Sequence, residues 1–423
     1  MKRGASKLGK LSNESTVAIV GAGVAGLRCA IELQERGLKP IIFEASDRVG
    51  GRIKTDQFHE FKLDRGFQVL LTAYDECRSV LDYDELDLGC FEPGAIVWTG
   101  SKFAQITDPW RRPASFFRSA RSPIGSLNDK LKIANLRQRL TRKSNEEIYA
   151  TSKDEPTFAY LHELGYSEGF INSFLRPFYG GIFLEPDLRT SRIMFDFVFK
   201  MFAQGYAALP RGGMERIPLQ LASKLPKNAI RFNAPVEKLK GHTITLEDGS
   251  KVFPDHTVVA TDMSAAASLS GNATIDRGWN RTSCLYFSTE PSPFKKPCIA
   301  LNGSGLGKIT NIAVPSDAAA GYSSSDASLI CVSTEGAGSL AEIESELKTW
   351  FGPNASAFRF LKRYDILQAL PRQQPGDNGY GKHPSRLGPN LWICGDHRFS
   401  ASIEGAMASG RHVAEAICQE LGK

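Results

Sequence analysis

The chain has 423 residues, 42% of them hydrophobic and 23% charged. That length suits two or three domains, and that balance suits a globular chain with a large core. It excludes collagen-like, disordered and disulfide-stapled mini-protein classes. The net charge of +6 is uneven: residues 108–143 hold ten Lys/Arg and two acids, so the remainder of the chain is slightly acidic.

The eight cysteines are scattered, with no CxxC pair. A zinc or iron–sulfur site needs clustered soft ligands, so no metal is expected and the thiols read as buried residues of a reducing compartment. Residues 1–15 are basic but have no apolar stretch, unlike a secretory signal. No run reaches the roughly 18 apolar residues of a membrane span. A cytoplasmic location is expected, with peripheral membrane contact as an option.

Thr16 to Val20 is a β-branched run that reads as a buried parallel strand. Gly21, Gly23 and Gly26 follow as G-x-G-x-x-G, with Val24 and Ala25 between them. A helix-period segment runs to Gly37, and a second strand ends at Glu44. In this pattern the first glycine permits a tight turn, the second admits a pyrophosphate, and the third lets helix pack on strand. The helix start offers free N–H groups and about half a positive charge to phosphate. Glu44 stands where a carboxylate can accept the ribose hydroxyls. A dinucleotide site is therefore expected.

The following residues point to FAD rather than NAD. Glu44-Ala45 lead to Arg48-Val49-Gly50-Gly51-Arg52. Glu followed by R-x-G-G-R resembles the flavin-containing amine oxidase superfamily, which includes monoamine oxidases, protoporphyrinogen oxidases and phytoene desaturases. The resemblance implies that Gly50 and Gly51 bring backbone against the flavin side of FAD and that Arg52 meets its pyrophosphate. The fold it implies is α/β. A GxGxxG Rossmann-type FAD domain is assembled from about 14–65, 208–268 and 386–423. A substrate domain of mixed antiparallel sheet and helices spans 66–207 and 269–385, with 100–207 as a helical insertion. Leu63 to Gln68 should enter the substrate sheet, with Gly66, Phe67 and Gln68 beside the flavin and Val69-Leu70-Leu71 as a pocket wall.

In the basic segment, Ser126-x-x-Asp129 forms a capping-box pattern ahead of Leu127, Leu131, Ala134 and Leu140. A basic amphipathic helix there suits either an anionic membrane surface or plain solvent. No aromatic-interleaved basic motif appears, so nucleic acid is not an expected partner. Residues 167–202 hold eight of the 25 phenylalanines, which suits an apolar pocket and suits a core equally. Arg176 and Tyr179 flank a Gly180-Gly181 turn and are candidates to orient substrate.

Residues 207–239 are similar to the family's helix–strand segment, in which the residue at Val236 contacts adenine through its backbone. Val258 to Thr261 resembles the strand that re-enters the flavin domain. Lys308 is a candidate for the lysine that amine oxidases bridge to flavin through water. Gly336-Ala337-Gly338-Ser339-Leu340-Ala341 has the form of a second glycine motif, but Glu335 precedes it and would repel a pyrophosphate. No second nucleotide site is expected there.

Near the C-terminus, Leu391 to Cys394 reads as a strand, then Gly395-Asp396, then a helix opened by Ser402-Ile403-Glu404-Gly405-Ala406. This is similar to the superfamily's closing flavin motif, where the Asp bonds the ribitol or phosphate region. There the helix start points at the pyrimidine end, and its dipole stabilises negative charge. Monoamine oxidases attach flavin through a Cys near this motif. The loop His397 to Ala401 has none, so non-covalent FAD is expected. His397 is a candidate for a flavin-adjacent hydrogen bond or for acid–base work. Amine oxidases set two facing aromatics at the flavin, one of them shortly before the closing helix, and Phe399 is the only aromatic in that loop.

The function expected is an FAD-dependent oxidoreductase of dehydrogenase or desaturase type, taking hydride from an apolar, isoprenoid- or carotenoid-like substrate. A flavin amine oxidase is the runner-up. A redox-neutral flavin isomerase and a catalytically silent flavin-binding scaffold remain as further readings.

Overall fold

The computed structural model describes residues 15–112, 122–151, 153–294, 296–336, 338–377, 383 and 385–423. Most of the basic N-terminal stretch, together with Arg118, Arg121 and Ala337, lies outside the described residues.

Strand β1 (Val17–Val20) leads into helix α1 (Val24–Glu35) and then β2 (Ile41–Phe43). A short helix α2 (Asp75–Val80) precedes the hairpin of β3 (Gly94–Trp98) and β4 (Phe103–Thr107). Three larger helices follow: α3 (Leu127–Thr141), α4 (Arg176–Phe183) and α5 (Arg192–Gln204). Strands β5 (Ile230–Arg231) and β6 (His256–Val259) come next. Then come β7 (Trp279–Thr289), β8 (Ile299–Asn302), β9 (Ile309–Ala313) and β10 (Ser328–Thr334). The chain ends with α6 (Leu340–Phe351), β11 (Arg359–Pro371), β12 (Arg386–Gly388), β13 (Leu391–Ile393) and α7 (Ile403–Glu420).

Two sheets organise these elements. The first has the order β5-β2-β1-β6-β13-β12 and is parallel except for its β12/β13 edge. Its strands come from three distant parts of the chain. β1 and β6 are wholly buried, as strands covered on both faces must be. Helices α1 and α7 pack on each other with their backbones almost touching. A Cβ on Gly410 would lie 2.2 Å from the Ala25 carbonyl oxygen. Small residues at Ala406, Ala408, Ser409 and Gly410 make that approach possible.

The second sheet has the order β11-β7-β10-β9-β8-β3-β4, with only β8/β3 parallel. One face packs on α6 through Ile343, Leu347 and Trp350, which meet Leu285, Ile312, Ile330 and Val332. Strand β10 is antiparallel to both neighbours, and a Ser339/Glu342 capping box closes the start of α6. Strand β10 and α6 are therefore not part of a parallel β-α-β unit.

Three sequence expectations are corrected here. First, Leu63 and Asp64 do not enter the seven-stranded sheet. They pair with Thr55–Phe58 in a separate hairpin. Side chains tie that hairpin to its neighbours instead: Asp64 accepts from Thr55 Oγ1 and Tyr322 OH, each at 2.5 Å, and from Met214 N at 3.0 Å. Burial raises the Asp64 pKa to about 6. Second, Gly180 and Gly181 lie inside α4, not in a turn. Their missing side chains let the helix approach Glu185–Pro186 and Asn311.

Third, α3 begins with the expected capping box, but its apolar positions divide between two faces. Leu136 and Leu140 point inward, while Leu127 and Leu131 are 66% and 62% exposed. Asp129 sets this phase by turning inward to accept from Ser167 N and Oγ, both at 2.8 Å. Among the described residues, no helix is long and apolar enough to cross a membrane.

Widening Gly410 tests the α1–α7 contact. Gly410→Val is expected to cost about 1–3 kcal/mol, as overpacking does in a tight core. A lowered urea midpoint would record it.

Candidate functional site

A cavity of about 1540 Å³ is lined by residues of both sheets and of α4 and α5. One part is built on β1, α1 and β2. Gly21, Gly23, Val24 and Ala25 line it, as do Glu44 and Ala45 at the end of β2. Gly26 does not: its Cβ would lie 2.1 Å from the Gly21 carbonyl oxygen, so its place is the strand–helix contact. Gly21 adopts φ +107° and Gly50 φ +118°, both in the region that favours glycine. Gly50 N donates to Ala22 O at 2.9 Å, which joins the two glycine turns.

The start of α1 is electrostatically open. Gly23 supplies no capping side chain, and the first turn holds no acid. A Cβ on Gly23 would meet no protein atom within 4 Å. Beside it, Glu44 accepts from Ala22 N at 2.8 Å and from Ser46 N at 2.9 Å, which fixes its carboxylate at the strand end. A cradle with room at Gly23 beside free N–H groups, with a fixed carboxylate next to it, fits the diphosphate and ribose of a dinucleotide. Val236 lines the same part of the cavity.

Farther along, Gly51, Arg52, Gly66, Phe67 and Gln68 line the wall. Gln68 donates to Arg52 O at 3.3 Å, and its buried Oε1 has no partner. Gly395 and Asp396 enter from the end of β13, and Ile403 and Ala406 from the start of α7. Arg52 and Asp396, expected to serve different parts of the cofactor, bind one another: Nη2 lies 2.6 Å from Oδ1. Arg52 also donates to Ala369 O and sits 5.3 Å from the Trp279 ring centroid.

Two residues of the closing motif stand behind the wall. Gly405 packs against Ser400, where a Cβ would come within 2.1 Å of the carbonyl oxygen. Glu404 turns away and accepts from Glu76 N at 2.9 Å and Cys77 N at 3.1 Å, capping α2. Burial raises its pKa to about 7.

None of the four catalytic candidates reaches the cavity wall. Arg176 donates to Pro186 O and Asn172 Oδ1 on the outside of α4. Tyr179 is buried among Phe178, Phe183 and Phe195. Lys308 is exposed, and its main-chain N–H donates to Glu346. His397 is buried beside the cavity with no hydrogen bond on either ring nitrogen, its Nδ1 lying 4.0 Å from Asp396 Oδ1. Burial lowers its pKa to about 4, against the weaker pull of Asp396. Phe399 packs on Tyr149 and His412, off the wall. Among the described residues no cysteine lines the cavity, and Cys394 is buried.

The wall built by α4 and α5 is apolar. Phe178, Ile182 and Phe183 come from α4, Met194, Val198 and Phe202 from α5, and Val69 and Leu71 from the segment after the hairpin. Ile299 and Leu301 face them from β8. Of the eight clustered phenylalanines, Phe178, Phe183 and Phe202 line the cavity, while Phe170, Phe195 and Phe197 are in the core. Sequence reasoning missed Asn311 and Ser333, which line this part from β9 and β10. Their only signal was a polar residue at an inward position of a buried strand.

Comparison with known proteins places the chain among flavoproteins. The family model described as flavin-containing amine oxidoreductase matches residues 24–418. Protoporphyrinogen oxidase 2 of Arabidopsis thaliana is 26% identical over 244 residues, 56% of this chain and 46% of that protein. The match thus spans less than half of that relative. A putrescine oxidase structure superposes with TM-score 0.73 at 17% identity, covering 96% of this chain and 99% of that one. Cyclohexylamine oxidase from Brevibacterium oxydans gives 0.68 at 16%, covering 97% and 100%. At these identities the structural likeness is one of fold.

Two predictions follow from this geometry. Glu44→Ala and Gly23→Val should each strip the flavin absorbance band from the purified protein. Because the Gly23 Cβ points into vacant space, the Gly23→Val apoprotein should melt with the wild-type apoprotein. Full flavin occupancy in both variants would contradict the assignment. For His397, the unfolded chain binds more protons than the folded one between about pH 6.5 and about pH 4. Its contribution is complete above that window and is lost as pH falls through it. His397→Met should therefore remove about 2 kcal/mol of the stability lost between pH 7 and pH 5. Urea midpoints of both proteins at the two pH values measure it.

Proposed function

The chain belongs to the family of flavin-containing amine oxidoreductases, and from that premise we propose that this FAD-dependent oxidoreductase takes hydride from an apolar, isoprenoid-like substrate. When bound, FAD supplies the hydride acceptor. The protein's part is to hold the cofactor, orient the substrate carbon and exclude water.

In this reading 14–65, 208–268 and 386–423 form a Rossmann-type FAD domain, and 66–207 with 269–385 hold the substrate. The start of α1 and Gly23 take the diphosphate, Glu44 the ribose, and the Val236 backbone the adenine. Gly50, Gly51 and Gly66 to Gln68 flank the flavin, with Arg52 and Asp396 positioned as a pair beside it. The start of α7 approaches the pyrimidine end through Ile403 and Ala406, where its dipole favours negative charge. No thiol lies at hand for a covalent link, which supports non-covalent binding.

The observation that carries the substrate class is the charge state of the wall. The α4 and α5 side chains on it are all apolar, and the nearby carboxylates are already neutralised. Asp56 pairs with Arg48 and Arg65, Asp365 with Arg363, and Asp396 with Arg52. An ammonium substrate beside these three acids would find each already paired with an arginine. The surface position of Lys308 and the inward packing of Phe399 also favour an apolar substrate over an amine. No protein base is assigned, since hydride removal by flavin does not require one.

A second part of the proposal is peripheral docking on an anionic membrane. Leu127, Leu131 and Trp110 are exposed large apolar residues in or beside the basic segment. Arg111 and Lys132 donate to main-chain carbonyls rather than to carboxylates. Exposed apolar side chains beside cations suit an anionic lipid surface.

Placing a charge on the pocket wall separates cofactor from substrate binding. Val198→Asp should retain full FAD occupancy yet weaken isoprenoid-driven flavin reduction at least about tenfold, the cost of burying an unpaired polar group. Undiminished reduction would count against the apolar pocket. Leu127→Glu with Leu131→Glu should abolish co-sedimentation with phosphatidylserine vesicles while leaving the flavin spectrum unchanged.

A further inference from the structure

The side chains that α4 and α5 present to the cavity are apolar, yet on the sheet facing them the Asn311 amide has no hydrogen-bond partner for its carbonyl oxygen. Tyr364, Cys284, Ser333, Asn311 and Leu301 are directly paired across β11, β7, β10, β9 and β8. Directly paired residues project from one face of a sheet. Tyr364, Ser333, Asn311 and Leu301 line the cavity. Asn311 stands between Ser333 and Leu301 in this row and is only 7% exposed.

Its hydrogen bonding is incomplete. The Oδ1 atom is buried with no partner. The Nδ2 atom has one long contact, 3.5 Å to Thr310 Oγ1. Buried side-chain amides are rarely left this way, because each unmet group carries its full desolvation cost. A leucine of nearly the same shape would suit such a wall better. The opposite helix also makes room: a Cβ on Gly181 would lie 3.2 Å from Asn311 Nδ2. Ser333, directly paired with Asn311, adds a hydroxyl to the same spot.

We propose that Asn311 is the substrate-positioning residue and that it takes the single hydroxyl of an otherwise apolar substrate. This rests on the reading of the cavity as an apolar-substrate pocket. A hydroxyl both donates and accepts, which matches an amide with an idle oxygen and an underused nitrogen. A hydrocarbon would leave both unmet, so the pocket discriminates against it. The substrate class narrows from isoprenoid-like molecules in general to those with one alcohol on a long apolar body. The amide also fixes how far along the pocket the chain slides, and thereby which carbon faces the flavin.

The test compares geranylgeraniol with the hydrocarbon of the same skeleton lacking the hydroxyl, both in detergent micelles. Perturbation of the flavin band in the holoprotein gives their affinities. Anaerobic bleaching gives their rates. The wild type should favour the alcohol about five- to tenfold, the discrimination of one neutral hydrogen bond. Asn311→Leu should bind the two equally and melt no lower than the wild type, because an unmet polar group has been removed. Equal binding by the wild type, or a preference surviving in Asn311→Leu, would overturn the proposal. A clearly lower melting temperature for Asn311→Leu would overturn it too, by showing that the amide holds the fold. If neither compound perturbs or bleaches the flavin in either protein, while Asn311→Leu melts normally, the apolar pocket itself is refuted, and this inference with it.

Discussion

Helices α1 and α7 lie 368 residues apart in sequence at their near ends, Glu35 and Ile403, yet Gly410 meets Ala25 backbone to backbone. Everything that shapes the cofactor end of the cavity follows from that contact. It sets the open start of α1 and the start of α7 around one space. It also brings the Gly395-Asp396 turn near enough for Asp396 to bind Arg52 across 344 residues of chain. A side chain at Gly410 would part the helices. Large apolar residues at α7's inward positions would give a better isolated core and a worse site.

Charge is distributed with the same economy. The start of α1 is left without an acid or a capping side chain, so its N–H groups stay available. Three acids of the wall, Asp56, Asp365 and Asp396, are matched with arginines: Arg48 and Arg65 hold the Asp56 carboxyl well below the usual carboxylate range, against the effect of burial. What remains between these neutralised pairs and the α4 and α5 side chains is a largely apolar space, with the idle Asn311 amide on its sheet side. An apolar molecule can enter such a space without stranding a charge, and a cationic one cannot.

The parts of the site that local chemistry dictates were legible in the sequence. Gly21, Gly23, Gly50, Gly51, Glu44 and the Gly395-Asp396 pair all line the cavity, because a tight turn or a close backbone approach allows few residue types. The capping box of α3 was legible for the same reason. Facing was less so. Glu404 sits in the closing motif but turns to cap α2, a partner over 320 residues away. Leu127 and Leu131 share a helical period with the core yet point outward, because Asp129 is held by Ser167. Gly180 and Gly181 looked like a turn and proved to be close-packing residues of α4. Asn311 became visible only once strand register placed it opposite Gly181.

The most direct test is anaerobic titration of the purified holoprotein, following the oxidised-flavin band, with a panel of amines and then with isoprenoids presented in anionic liposomes. The account predicts bleaching by an isoprenoid and none by the amines. Bleaching by an amine alone would contradict it, and would mean that the paired carboxylates of the wall yield to an ammonium after all.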